Sequence, residues 1–278
     1  MTEAWRAMHD RLDTITRQDW LDFVRSLPAA SVDLIATDPA YPSMMKWAGI
    51  GTTARMGMGR KGTAAADLEN KFFPVMDALD LPDMMQEFYR VLKPGGHAYV
   101  MCNEETERDL YNYSVVEGVW DAYKVGNVIL PAYQKLVWVK RNSGMGYPFM
   151  HRHEYVAFLF KGTMFDRAGR AVKRRLLNVK GIPDVLTYSE LRGDKAQFPT
   201  QKPDEMFEDF IAWSTQPGDI VLDPFCGSGT TARAAKKLGR HFLTCDVWDR
   251  AIEVATRRVG EVEFGEAVAM QQRRMAFV

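Results

Sequence analysis

Cysteine is scarce in this chain: Cys102, Cys226 and Cys245 are the only three among 278 residues. They lie too far apart for a disulfide framework, and no Cys-x-x-Cys or Cys/His spacing suggests a metal site. No metal is expected, and a reducing, cytoplasmic setting fits best. Net charge is also missing, with 36 basic residues against 36 acidic ones. Any nucleic-acid site must therefore be a local basic cluster and not a field spread over the surface. No apolar run approaches the roughly 20 residues of a membrane span. The beginning of the chain, with Glu3, Arg6, Asp10 and Arg11, lacks the apolar centre of a signal peptide. Repeats and low-complexity tracts are absent too. What remains is a chain that is 46% hydrophobic, long enough for one α/β core with inserted loops.

The apolar, partly β-branched run Ser31 to Thr37 stops at Asp-Pro, as a buried strand ending in a loop does. Residues 43–66 are rich in Gly, Met and Ala without a sustained period and read as a long mobile loop. Leu81 to Leu92 carries apolar residues at helical spacing and ends at Lys-Pro-Gly-Gly, a helix stop before a strand at His97 to Met101. Lys135 to Val139 and Tyr155 to Phe160 read as two strands forming a hairpin-like sheet edge. Further on, a helix around Pro203 to Trp213 leads into a strand at Ile220 to Leu222, a glycine turn from Asp223 to Thr231, a helix from Ala232 to Leu238 and a strand from His241 to Cys245.

The segment VLDPFCGSGTTARAA is strand, glycine turn and helix. Gly227 and Gly229 would let backbone approach a ligand, and the turn through Ser228 and Thr230 would present free helix N–H groups. Gly227-x-Gly229-x-x-Ala232 also satisfies the dinucleotide pattern, with Asp246 at about the 20-residue distance of a ribose-gripping acid. A nicotinamide oxidoreductase therefore stays open at this point. A P-loop does not, because no Lys precedes the Ser/Thr pair of the turn. The acids Asp223 and Asp246 suit ribose hydroxyls and a cationic amine better than pyrophosphate. This favours S-adenosylmethionine, which has no phosphate.

Thr37-Asp38-Pro39-Ala40-Tyr41 offers a carboxylate, a proline-stiffened carbonyl and an aromatic ring at a strand end. The nitrogen of an aromatic amine is a poor nucleophile because its lone pair is delocalised. If the Asp38 carboxylate and the Pro39 carbonyl each accept one N–H, the lone pair can be aimed at a methyl sulfonium. Asp38 would also stabilise the positive charge that develops and take up or relay the proton. Tyr41 would stack on the base. Such a site requires a base flipped out of the duplex. Methylation at cytosine C5 would instead need a thiolate, and none of the three cysteines stands in a Pro-Cys pair.

With these residues in place, the chain resembles the amino-methyltransferases of DNA, in the permuted β group whose catalytic tetrapeptide precedes the cofactor turn. Asp38 to Tyr41 match the Asp-Pro-Pro-Tyr element, VLDPFCGSGTT the cofactor element, FYRVLKPGG the following helix and turn, and Thr200-Gln201-Lys202-Pro203 a second cofactor segment. The resemblance implies a single class I methyltransferase domain over 1–278 with a mostly parallel, seven-stranded sheet. It implies S-adenosylmethionine as cofactor, contacted by Asp19, Thr200, Lys202, Phe225 and Asp246. It also implies DNA as substrate, with adenine N6 favoured over cytosine N4 because Asp heads the tetrapeptide. A homodimer and a cognate restriction endonuclease are expected as partners. Three positions depart from the pattern: Ala40 replaces a second proline, Phe198 stands where a His is common, and Arg17-Gln18 replaces small residues. A DNA-binding regulator made silent by Ala40 is the alternative this leaves.

Between Lys161 and Lys180 there are seven basic residues against one acid. In the resembled group this region, here 161–197, carries target recognition, so Arg170, Lys173, Arg174 and Arg175 are expected on DNA phosphates and base edges. Arg60 and Lys61 of the 43–66 loop are expected to join them as it closes over the flipped base. His153, beside the second strand of the pair, is expected to be structural.

Overall fold

The computed structural model describes residues 2–40, 76–120, 122–125, 128–142, 149–162, 178–179, 181–191, 197–198 and 200–268. In chain order the elements are α1 (Glu3–His9), β1 (Ile15–Arg17), α2 (Trp20–Arg25), β2 (Val32–Thr37), α3 (Leu81–Val91), β3 (Leu92–Cys102), α4 (Glu104–Tyr111), β4 (Ala122–Val125), β5 (Val128–Pro131), β6 (Tyr133–Val139), β7 (His153–Phe160), β8 (Val185–Leu186), α5 (Asp204–Ser214), β9 (Ile220–Asp223), α6 (Thr230–Lys237), β10 (His241–Asp246) and α7 (Asp249–Gly260). Among the described residues no helix is long and apolar enough to cross a membrane.

The main sheet has the order β1-β10-β9-β2-β3-β7-β6-β8, and β4 pairs with β5 in a second, two-stranded sheet. From β1 to β3 every neighbouring pair is parallel. β7 runs antiparallel to both β3 and β6. The seven expected strands are eight, because two-residue β8 pairs in parallel with β6. The expected β6–β7 hairpin is present, with β8 outside it. So short a strand carries no periodicity, and the sequence could not announce it.

Period-two alternation sorts the core onto two faces. Ile35, Ala98, Val100, Leu222 and Leu243 pack with Phe23, Met84, Met85 and Phe88 of α2 and α3. Leu34, Ala36, Tyr99, Val221 and Phe242 face the other way, onto Phe207 and Phe210 of α5 and the alanines of α6. All six residues of β2 are buried, as befits a parallel strand covered on both faces. α3 begins with Pro82 in its first turn and ends ahead of Lys93-Pro94, where proline cannot continue a helix. α2 begins because the Asp19 side chain accepts from the backbone N–H groups of Leu21 and Asp22, an N-cap.

The strand order places the site. After β9 the chain moves outward through α6 to β10, whereas after β2 it moves the other way to β3. Neighbouring parallel strands β9 and β2 thus part at their carboxyl ends, the crevice where open α/β sheets bind ligands. Asp223 ends β9, Asp38 follows β2 and Asp246 ends β10.

Candidate active site

A cavity of about 570 Å³ opens at these strand ends. Asp19, Asp38, Pro39, Thr200, Lys202, Asp223, Phe225, Gly227, Ser228, Thr230 and Asp246, residues singled out across more than 220 positions of sequence, all line it. Its described lining holds eight carboxylates and two lysines, Lys140 and Lys202, with no arginine. Both lysines are held by carboxylates of the site.

At the cofactor end, Asp246 accepts from the Gly227 and Trp248 backbone N–H groups, each at 2.9 Å, one on either oxygen. This fixes the carboxylate against the glycine turn with lone pairs still free. Burial pushes its pKa up, and the Trp248 and Gly227 amides oppose that. Asp19 lines the same end while capping α2. Two aromatic pairs flank the turn, Trp20 with Phe225 at 5.6 Å and Phe198 with Trp248 at 5.4 Å between ring centroids. At Gly227, with φ of +49°, an added Cβ would meet nothing nearer than a Phe198 ring carbon at 3.7 Å.

Two glycine-turn residues sit differently from expectation. Gly229, expected on the cofactor, does not line the cavity. It holds a φ of +74°, and a Cβ there would stand 2.8 Å from the Ala255 Cβ on α7. Its missing side chain makes room for a helix, not for a ligand. Asp223 borders the cavity but is engaged inside the protein. Its carboxylate accepts from the Thr37 hydroxyl at 2.6 Å and the Phe225 N–H at 3.1 Å, and burial raises its pKa to about 6 against the hydrogen bonds that lower it, that of Thr37 the largest. Thr37 ends β2, so this bond ties the two diverging strands together. The Thr231 hydroxyl, bonded to the Ala36 carbonyl at 3.0 Å, adds a second tie.

Asp38 sits where β2 ends, its carboxylate partly open to the cavity. Lys202, nearly buried, stands 2.7 Å from its Oδ2 and 3.3 Å from Oε2 of Glu154. Lys202 was expected on the cofactor, but its ammonium is on the carboxylate of Asp38. Lys140 pairs with Glu154 Oε1. Burial raises the Asp38 pKa, and the Lys202 charge partly reverses that. Burial acts on Glu154 in the same sense, but Lys202 and Lys140 together outweigh it and hold Glu154 below the usual range. Met76 N donates to the Ala40 carbonyl at 2.9 Å, returning the chain beside the tetrapeptide. Among the described residues no donor occupies the Pro39 carbonyl.

Glu154 was not foreseen. Its signal was faint: period two on β7 puts it on the face of Val156, Phe158 and Phe160, an acid heading an apolar row. Its cross-strand neighbour on β6 is Trp138, another cavity residue. His153 bonds to the Tyr155 hydroxyl at 3.0 Å and does not line the cavity. All three cysteines are free and buried, and burial pushes every thiol away from the thiolate form. Arg258 was also missed. Buried on α7, it donates to the Ser228 carbonyl at 2.6 Å and pairs with Asp204 at 2.5 Å, bracing the glycine turn from below. Tyr41, Arg60, Lys61, Arg170, Lys173, Arg174 and Arg175 lie outside the described residues, as do all of 43–66 and most of 161–197.

The model of the N6/N4 DNA methylase family matches residues 32–257. The chain is 26% identical over 270 residues to the type II methyltransferase M.HinfI of Haemophilus influenzae, covering 92% of this chain and 70% of that protein. Among solved structures, the fold is similar to that of M1.HpyAVI in its complex with SAM, with a TM-score of 0.58 at 20% identity over 88% of this chain and 98% of the other. It is also similar to the cytosine-N4-specific PvuII DNA methyltransferase, with a TM-score of 0.54 at 16% identity over 88% and 87%.

Proposed function

Because the chain belongs to the family of N6/N4 DNA methylases and has the class I methyltransferase fold, we propose that it methylates adenine N6 in DNA with S-adenosylmethionine as donor. The observation that carries this is that Asp38 and Pro39 line the same cavity as Asp19 and Asp246.

The residues present suit this donor. Carboxylates at the strand ends can take ribose hydroxyls and an ammonium group, and the open space over Gly227 lets backbone N–H groups meet a ligand. A dinucleotide fits poorly, since a lining of eight carboxylates against two lysines, both already paired with carboxylates, repels a pyrophosphate. When bound, S-adenosylmethionine supplies a methyl group on a cationic sulfur, which leaves with the C–S electron pair as the amine forms its C–N bond.

The chain's own residues prepare the amine. Asp38 and Pro39 each accept one N–H of the flipped base, turning the nitrogen lone pair toward the cofactor end. As the C–N bond forms the nitrogen becomes cationic, and the nearby Asp38 charge stabilises it. Asp38 is raised by burial, which makes it a better proton acceptor. The proton released from nitrogen then passes to its carboxylate. Tyr41 stacks on the base, and the basic residues of 161–197 hold phosphates. Asp at the head of the tetrapeptide supports adenine. Cytosine N4 is the second reading, favoured by the likeness to a cytosine-N4-specific fold.

Incubation with DNA and labelled cofactor, followed by nucleoside analysis, tests the proposal. N6-methyladenine is expected, and N4-methylcytosine would decide for the second reading. Asp38→Ala should remove methyl transfer by at least about 100-fold while cofactor still binds. A fully active variant would refute the mechanism.

A further inference from the structure

We propose that Lys202 and Glu154 are positioning residues for Asp38: Lys202 fixes Oδ2 so that Oδ1 is left for the amine of the base, and Glu154 competes for the same ammonium and so keeps Asp38 basic. This rests on the methyl-transfer reading and deepens it.

Four charges from four separate segments form one chain. Lys140 at the end of β6 contacts Glu154 on β7; Glu154 stands 3.3 Å from Lys202, ahead of α5; and Lys202 stands 2.7 Å from Asp38 after β2. Two anions therefore share the central lysine, and they share it unequally. Glu154 has Lys140 as a second cation, whereas Asp38 has only Lys202 within ion-pair distance among the described residues. Oε2 of Glu154 has no hydrogen-bond partner among the described residues and lies within reach of the Lys202 ammonium. That oxygen gives Lys202 a second seat when the amine becomes cationic and Asp38 acquires a new positive partner.

The consequence for titration follows in sign. Asp38 is faced by Lys202, by Glu154, by Lys140 and, from β9, by Asp223, with the Cys102 thiol of β3 also nearby. Its pKa is raised by burial, lowered by Lys202 and raised again by Glu154. A neutral group at 154 frees Lys202 for Asp38 alone and lowers the Asp38 pKa. A neutral group at 202 leaves two carboxylates facing each other and raises it.

Glu154→Gln and Lys202→Met therefore make opposite predictions for the acid limb of kcat. Glu154→Gln should move it to lower pH and reduce the plateau rate, and Lys202→Met should move it to higher pH, by about 1 to 3 pH units. The same shifts should appear in the 13C-carboxyl NMR titration of Asp38, identified by its loss in Asp38→Asn. Cofactor affinity should stay unchanged in Lys202→Met. Shifts in the same direction, no shift in Glu154→Gln, or loss of cofactor binding in Lys202→Met would overturn the proposal. Glu154→Gln keeps the side-chain shape, so it remains decisive if Lys202→Met fails to fold, which thermal unfolding would reveal. A protein whose NMR titration shifts as described but that transfers no methyl would sink the methyl-transfer reading and leave only the charge coupling of Lys202 and Glu154 to Asp38. Methyl transfer with an unmoved titration would do the reverse.

Discussion

Asp223 shows how much one carboxylate can do through its hydrogen bonds inside the protein. Its pKa is raised from 3.8 to about 6 by burial, so in that window the folded protein binds a proton that the unfolded chain has released. Stability from this group is present below pH 3.8 and is lost as pH rises through about 6. Asp223→Asn cannot titrate. Its unfolding free energy relative to the wild type should therefore climb as pH goes from about 4 to about 6, which denaturant titrations at several pH values would measure. A flat difference would mean that the Thr37 and Phe225 donors hold the carboxylate ionised. At this scale the sequence reveals residues that sit in local patterns, such as Asp38 in its tetrapeptide or Asp246 after a strand. It hides Glu154 and Arg258, lone charges on a strand and a helix whose partners come from remote parts of the chain. Lys202 was visible as a residue of interest, but its partner was not, because only the packed structure sets 202 beside 38.

Among the elements, the junction of α6 and α7 is sharply constrained. Gly229 begins α6 with a left-handed backbone and closes to 2.8 Å of Ala255 in any Cβ-bearing form. Gly229→Ala should cost about 2 to 4 kcal/mol, combining the left-handed penalty with overpacking. Ala255→Gly should restore part of that loss, giving a favourable coupling in a double-mutant cycle. Additive effects would show that the Ala255 backbone, its Cα 2.9 Å from the same position, and not its methyl group sets the cost. This changes the sequence-based expectation that Gly229 lets backbone approach a ligand; here its missing side chain admits α7. Elements with a clear period were legible: β2, α3, α5, β9, α6 and β10 lie within a few residues of their expected bounds. Short or highly charged elements were not. α2 has six residues and depends on its Asp19 cap, and β1 has three and exists only through its pairing with β10.

At the scale of the molecule, the cavity selects its cofactor by charge. S-adenosylmethionine at about 100 times its Kd should stabilise the protein by about 2.7 kcal/mol, visible as a higher Tm, whereas NAD should leave the Tm unmoved. Stabilisation by NAD alone would contradict the reading of eight carboxylates as a cationic-ligand site. The sheet order itself could not be read from composition or period, because it depends on which distant strands pair, although the resemblance of motifs supplied its general class. That pairing governs how the molecule comes into being. The Asp33 carboxylate on β2 bonds the Ile220 N–H on β9 across 187 residues, and β2 finds its second neighbour only there. During synthesis, a strand destined for complete burial must wait for most of the chain to emerge, which slows closure and exposes it to aggregation. No nascent fragment that stops short of β9 can assemble the cavity, so the ability to bind cofactor arrives late and all at once.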